Sequence, residues 1–343
     1  MSEGENPQSQ PALDGPLPWQ QDAWARLQRR RSEGRLPHAL LITGIPGIGK
    51  RYFAEAFLAA LLCEGQGEGA CGTCRGCRLL AAGSHPDRIA VQPEDEGKAI
   101  PVAAVRGLIE RLTLRPQYGA WQVALVEPAE RMNANAANAL LKTLEEPNAG
   151  TLLILVSARP SQLPATIRSR CQQITLAAPE PEMGRAWLAA QAPRAQDAAT
   201  LLALCGGAPL AALELADAGG LEDRAERLAE WEGVMTGRAA PEAVAARWYE
   251  QGAAAAVERL HGWLADMIRV AGAGADAGGL RNPDLAGRLQ EMAVGLDLQT
   301  LFHQLDRVES VRRLVGGPAN LQLQLEDLLV AWARAGRSGM RRA

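Results

Sequence analysis

The segment His38-Ala39-Leu40-Leu41-Ile42-Thr43-Gly44-Ile45-Pro46-Gly47-Ile48-Gly49-Lys50-Arg51 runs from an apolar stretch into a glycine-rich turn that ends on lysine. A short buried strand, a tight turn and a helix over about 50–62 is the natural reading of that pattern. The turn satisfies Gly-x-x-x-x-Gly-Lys. Such a loop wraps backbone N–H groups around phosphates at a helix N-terminus, and its lysine neutralises their charge. Gly44, Gly47, Gly49 and Lys50 are therefore the candidate phosphate-binding residues. The next position ordinarily holds Ser or Thr, whose hydroxyl helps hold Mg²⁺. Here it is Arg51, a cation with no acceptor atom. A strand-to-helix turn without ligand is the alternative.

Outward from this turn, apolar runs alternate with helical periodicity. Residues 20–33 space Trp24 and Leu27 on one helical face. Further strands are predicted at Arg88–Val91, Gln122–Val126, 152–156 and 172–176. Helices are predicted at 101–113 and at 133–146, the latter stopped by Pro147. Strands separated by helices imply a parallel, buried sheet of about five strands. Beyond Pro179 and Pro181 the strand signal stops. Ala, Leu, Glu and Arg recur at helical period over 182–336, punctuated by Gly-Gly pairs. A small helical domain at 179–219 and a larger one at 220–337 are expected, with short tails at 1–18 and 338–343.

Composition sets limits. The chain has 343 residues, 47% hydrophobic and 22% charged, which excludes disorder over most of its length. The net charge of −3 argues against a protein that coats nucleic acid through its overall field. No long apolar run free of charges indicates a membrane span. The polar, Pro-rich N-terminus lacks a basic segment followed by an apolar core, so a cytoplasmic chain is expected rather than an exported one.

In a reducing compartment, clustered cysteines suggest metal rather than disulfides. Cys63, Cys71, Cys74 and Cys77 fall within 15 residues, in a loop with Gly72 and Gly76. Four thiolates at that spacing match a closed, structural tetrahedral zinc site; free thiols or an iron–sulfur cluster are the alternatives. Cys171 and Cys205 stand apart and read as buried apolar residues. His85, beside Pro86, reads as a loop histidine rather than a ligand. Ser169-Arg170-Cys171 closes a helix after the fourth strand. By itself it is a weak signal, and a surface arginine is the bland reading. An exposed Arg170 could also reach a nucleotide on a neighbouring subunit, because its charge is fixed and its planar fork grips phosphate oxygens.

These features occur together with Leu140-Leu141-Lys142-Thr143-Leu144-Glu145-Glu146-Pro147 and the switch to an all-helical second half. The combination resembles the bacterial clamp-loader subunits of the AAA+ superfamily. It is most similar to the delta-prime type found in DNA polymerase III, especially over 71–87, 138–147 and 168–172. The resemblance implies an α/β RecA-like AAA+ domain at 19–178 with a zinc-module insert at 63–77, an all-α lid at 179–219 and an all-α collar at 220–337. It implies a hetero-pentamer with the gamma/tau ATPase subunits and the delta subunit, with primed DNA and the sliding clamp met through the complex.

In ATP-hydrolysing relatives an Asp-Glu pair follows the third strand, the Asp for Mg²⁺ and the Glu to activate water. Here that pair aligns with Glu127-Pro128. Glu127 is left able to face a metal, whereas proline has no side-chain acceptor and cannot act as a base. The lid arginine of active relatives falls in the stretch Gly206-Gly207-Ala208-Pro209-Leu210, which has none. Arg51, Pro128 and Leu210 together argue against hydrolysis, while Arg170 is retained as a finger acting in trans. Whether Gly44, Gly47, Gly49 and Lys50 still hold ATP or ADP stays open. An active AAA+ motor and a zinc-dependent DNA-binding module are the competing readings. Arg75, Arg78 and Arg88 near the cysteines favour the second, and the acidic run 94–96 opposes it.

Overall fold

The structure is a computed structural model that describes residues 15–340, apart from 96, 193–196, 220, 275–277 and 318. Most of the expected N-terminal tail and the last three residues lie outside the described part. The chain divides into two units, Met1–Pro179 and Glu180–Ala343.

The first unit runs α1 (Gln21–Ser32), β1 (Ala39–Thr43), α2 (Lys50–Leu62), α3 (Arg75–Ala81), β2 (Arg88–Val91), α4 (Val102–Leu112), β3 (Gln122–Val126), α5 (Ala134–Glu145), β4 (Thr151–Ser157), α6 (Ala165–Arg168) and β5 (Gln172–Thr175). All strands are parallel, in the order β2-β3-β4-β1-β5. Parallel pairing demands crossover connections, and α2 to α6 lie in them.

Strand alternation sends neighbouring residues to opposite faces. Leu40, Ile42, Val123, Leu125, Leu152 and Ile154 pack with α1 and α2 on one side. Ala39, Leu41, Ala124, Val126, Leu153 and Leu155 pack with α4 and α5 on the other. Every residue of β1, β3 and β4 is buried, so those strands read as continuous apolar runs. The edge strand β5 is polar and mostly exposed. Helix α2 is buried along nearly its whole length, with Trp24 of α1 set edge-on against Phe53 and Phe57 at 5.9 and 5.8 Å. Helix α5 starts where the Asn133 side chain accepts a hydrogen bond from the Ala136 N–H at 2.8 Å.

The second unit is helical throughout its described residues: α7 (Pro181–Gln191), α8 (Ala198–Leu204), α9 (Pro209–Asp217), α10 (Glu222–Thr236), α11 (Pro241–Glu250), α12 (Ala253–Ala273), α13 (Ala286–Ala293), α14 (Leu298–Leu314) and α15 (Leu321–Met340). Proline at the first turn of α7, α9 and α11 fits a position whose N–H has no intrahelical partner. Helices α7 to α9 share a small core around Leu188, Leu201, Leu202 and Ala212. Helices α10 to α15 share a larger one, centred on Trp231 stacked against Trp332 at 4.3 Å and Trp263 at 5.4 Å.

Candidate functional site

The glycine-rich turn lies where β1 passes into α2. Gly44 has φ +153°, and a β-carbon there would stand 2.6 Å from the Leu176 carbonyl oxygen. Only glycine fits that approach. Gly49 precedes α2 in the left-handed region at φ +85°, with no side-chain cap. The first N–H groups of α2 are thus left for an anion or water. Two side chains at the start of the unit clamp the other side of the loop. Trp19 Nε1 donates to the Ile48 carbonyl at 3.0 Å, and Gln20 Nε2 donates to the Ile48 and Gly49 carbonyls at 3.1 and 3.0 Å. Nothing in the local sequence pattern signals this clamp, which joins distant segments.

The lysine is folded back on its own loop. Lys50 Nζ donates to the Ile45 carbonyl at 2.8 Å, and the residue is buried. Burial lowers the Lys50 pKa, opposed by the carboxylates of Glu130 and Glu127. Arg51 Nε stands 3.5 Å from Glu127 Oε2. The Gln92 carboxamide, turned with its oxygen toward Arg51, accepts from Nη1 and Nη2 at 3.0 and 3.1 Å. Burial raises the Glu127 pKa, opposed first by Arg51. Glu130 Oε1 accepts from the Ala158 N–H at 3.1 Å. Glu55, a further carboxylate acting on Glu127, is itself gripped by Arg88 Nε and Nη2 at 3.3 and 2.6 Å.

A magnesium–nucleotide pair does not fit these residues as they stand. The carboxylate left able to face a metal instead faces a guanidinium, the position for the metal-holding hydroxyl is that same arginine, and Pro128 offers no acceptor. Gly44, Gly47, Gly49 and Lys50 do converge in one loop. Sequence reasoning missed the Gln92 and Glu130 contributions, because three strand ends meet only in the folded sheet.

The four cysteines come together beside the C-terminus of α2. Their sulfurs all lie within 4.8 Å of one another, with Cys63–Cys74 and Cys71–Cys77 each at 3.9 Å. A zinc–sulfur distance of about 2.3 Å in a tetrahedron gives sulfur–sulfur edges of about 3.8 Å. No pair is bonded. Backbone N–H groups point at the sulfurs: Gly65 and Cys71 at Cys63 (3.2 and 3.3 Å), Cys74 at Cys71 (3.3 Å) and Cys77 at Cys74 (3.3 Å). Donors from Thr73 and Cys74 bring the Cys71 thiol down to about 6, while burial pushes Cys77 up to about 12. Four converging sulfurs with thiolate-stabilising donors and no open position fit a structural zinc ion.

The insert also contains α3, which the sequence reading did not separate. The Cys74 sulfur caps this short helix by accepting from Cys77 N–H. Gly76 lies against the Leu62 carbonyl, where a β-carbon would come within 2.5 Å. His85 lies in a loop outside the cysteine cluster and is buried: its Nδ1 accepts from Asp87 N–H at 3.1 Å and its ring meets Tyr118 edge-on. Asp87 in turn accepts from Gln117 and Tyr118 N–H, both at 2.8 Å. Cys171 is buried and its thiol pKa is raised to about 11 by burial; Cys205 is half-buried with the same shift and cause. Neither joins the cluster.

Arg170 follows α6 and is partly exposed. Its Nη2 pairs with Glu145 Oε1 at 2.5 Å, and its Nη1 donates to the Thr166 carbonyl at 3.0 Å. The residue stands apart from the cysteine cluster in its contacts, held by the ends of α5 and α6.

Two family profiles match the chain. The one described as "DNA polymerase III, delta subunit" covers residues 19–180, and "DNA polymerase III, delta subunit, C terminal" covers 219–334. The chain is 38% identical over 321 residues to DNA polymerase III subunit delta' of Pseudomonas aeruginosa, spanning 92% of this chain and 97% of that one. It is 35% identical over 323 residues to the protein of the same name from Escherichia coli, spanning 91% and 94%. It is also 36% identical over 155 residues to DNA polymerase III subunit tau of Salmonella typhimurium, spanning 45% of this chain and 24% of that one.

Proposed function

The chain belongs to the DNA polymerase III subunit delta' family, and from that premise we propose that it is a non-hydrolysing, stationary subunit of the bacterial clamp loader. The observation that carries this reading is the Arg51–Glu127 pair beside Pro128. Positioning and charge stabilisation supply nearly all of phosphoryl-transfer catalysis. A loop whose metal-facing carboxylate is held by an arginine, with no base at the next position, lacks both.

The contribution to catalysis is made in trans. Arg170 reaches the ATP site of the adjacent ATPase subunit and stabilises charge on the transferring phosphoryl group. Fingers of this kind are worth roughly 10³–10⁵ in rate. Glu145 and the Thr166 carbonyl hold the guanidinium at the surface in the isolated chain. Residues 179–219 act as the lid and residues 220–337 as the collar that closes a pentameric ring. The partners are the gamma/tau ATPase subunits, in keeping with the similarity to a tau subunit, and the delta subunit. Primed DNA and the sliding clamp are met through the complex, in the cytoplasm. Cys63, Cys71, Cys74 and Cys77 hold a structural zinc ion, which when bound crosslinks the end of α2 to the insert.

The direct test is ATP turnover by the purified chain, with and without primed DNA. No turnover above that of Lys50→Ala is expected. Turnover that disappears in Lys50→Ala would overturn the proposal.

A further inference from the structure

We infer that the Arg51 guanidinium is a built-in substitute for the divalent cation of the phosphate loop, so that whatever contact this loop makes with a polyphosphate is indifferent to Mg²⁺. The inference rests on the non-hydrolysing reading but goes beyond it, since a loop can fail to hydrolyse ATP and still take Mg²⁺–ATP.

The geometry is the first argument. Arg51 is the first residue after the loop lysine, and its half-buried side chain turns toward Glu127 and Gln92. Its Nε approaches Glu127 at 3.5 Å, and both terminal nitrogens donate to Gln92. Glu127 Oε2 has no hydrogen bond of its own, so the guanidinium is its immediate counter-charge. A Mg²⁺ ion demands near-ideal octahedral oxygen ligation and is usually held by one or two carboxylates. To recruit Glu127 it would have to displace Arg51 or sit against it.

Charge balance is the second argument. Lys50 and Arg51 face Glu127 and Glu130 beside the end of β3 and the start of α2, and the nearby Glu55 is already paired with Arg88. Two cations meet two carboxylates, and the Arg88–Glu55 pair adds no net charge, so the site is neutral without an ion. Before any polyphosphate arrives, a divalent cation would leave two uncompensated positive charges in a half-buried place, where they are screened far less than in water. A polyphosphate arriving there meets Lys50 and Arg51, both fixed to the chain.

The experiment measures Kd for ATP on the full chain by calorimetry, with Mg²⁺ and with EDTA. Mn²⁺ with ATP is followed separately by the electron-spin signal of bound metal. For the unaltered chain, Mg²⁺ is expected to leave the response to ATP unchanged, even where that response is nil, and no ATP-dependent Mn²⁺ binding is expected. Arg51→Thr restores a metal-holding hydroxyl and frees Glu127. In that variant Mg²⁺ is expected to tighten ATP binding by roughly tenfold or more, with Mn²⁺ captured alongside. Arg51→Lys keeps the charge and is expected to remain indifferent to Mg²⁺. Should Arg51→Thr not melt cooperatively, Arg51→Ser serves in its place. Mg²⁺-dependent ATP binding in the unaltered chain overturns the inference, and so does its absence in the hydroxyl variant. Neither result depends on turnover, so failure here leaves the non-hydrolysing reading standing.

Discussion

Gly44 carries two demands at once. Its φ of +153° lies in the region that favours glycine, and its α-carbon faces the Leu176 carbonyl with no room for a methyl group. Gly44→Ala is expected to destabilise the chain by about 1–3 kcal/mol, the cost typical of forced backbone strain. Chemical denaturation measures this, and a loss below ~0.5 kcal/mol would show that the loop relaxes freely. The sequence made Gly44 legible as part of a phosphate-binding pattern, but not as a packing requirement, because Leu176 enters from the far end of the unit. The same limit applies to Glu127. Its place after the third strand could be read directly, and it was left able to face a metal. That it faces Arg51 depends on β1 and β3 ending at the same edge of the sheet, with β4 between them. Gln92, at the end of β2, carries no local signal at all.

At the scale of elements, the cysteine insert is the clearest case of chemistry substituting for a core. Residues 63–85 contain few large apolar side chains, and α3 has only seven residues, too few to hold a helix in water unaided. Its sulfur cap, the close approach of Gly76 to α2 and the four-sulfur cluster hold it instead. The purified chain is expected to contain about one zinc per molecule, given a single closed four-thiolate site. Strong chelation, or Cys77→Ser, is expected to raise amide exchange across 64–85 by roughly tenfold or more, because metal binding there is folding free energy. Helices α10 to α15 should keep their protection. Unchanged exchange in the insert would mean that the cluster does not need metal. The strands were legible because β1, β3 and β4 are buried on both faces and read as unbroken apolar runs. Helix α3 was not, since seven residues, about two turns, are too few to show a periodicity. The edge strand β5 was read one residue too long, to Leu176; the strand ends at Thr175, although Leu176 is buried and its N–H still reaches Thr43.

For the whole molecule, the change of character after Pro179 marks the division into two units, and it was visible because β-rich and purely helical composition differ so sharply. The second unit holds a small core around Leu188 and a larger one around Trp231. Which helices meet was not legible. The stacked Trp231, Trp263 and Trp332 come from α10, α12 and α15, and no spacing announces that pairing.

The account's central claim is an asymmetry: this chain has no working ATP site but completes another's. It is tested by DNA-stimulated ATP turnover in a clamp loader reconstituted with Arg170→Ala or with Lys50→Ala. The exposed Arg170–Glu145 pair contributes little to folding, about 0–1 kcal/mol, so Arg170→Ala should assemble normally. The account predicts that turnover falls roughly tenfold or more with Arg170→Ala and stays at the level of the unaltered complex with Lys50→Ala. Full turnover with Arg170→Ala, or loss of turnover with Lys50→Ala, would contradict it.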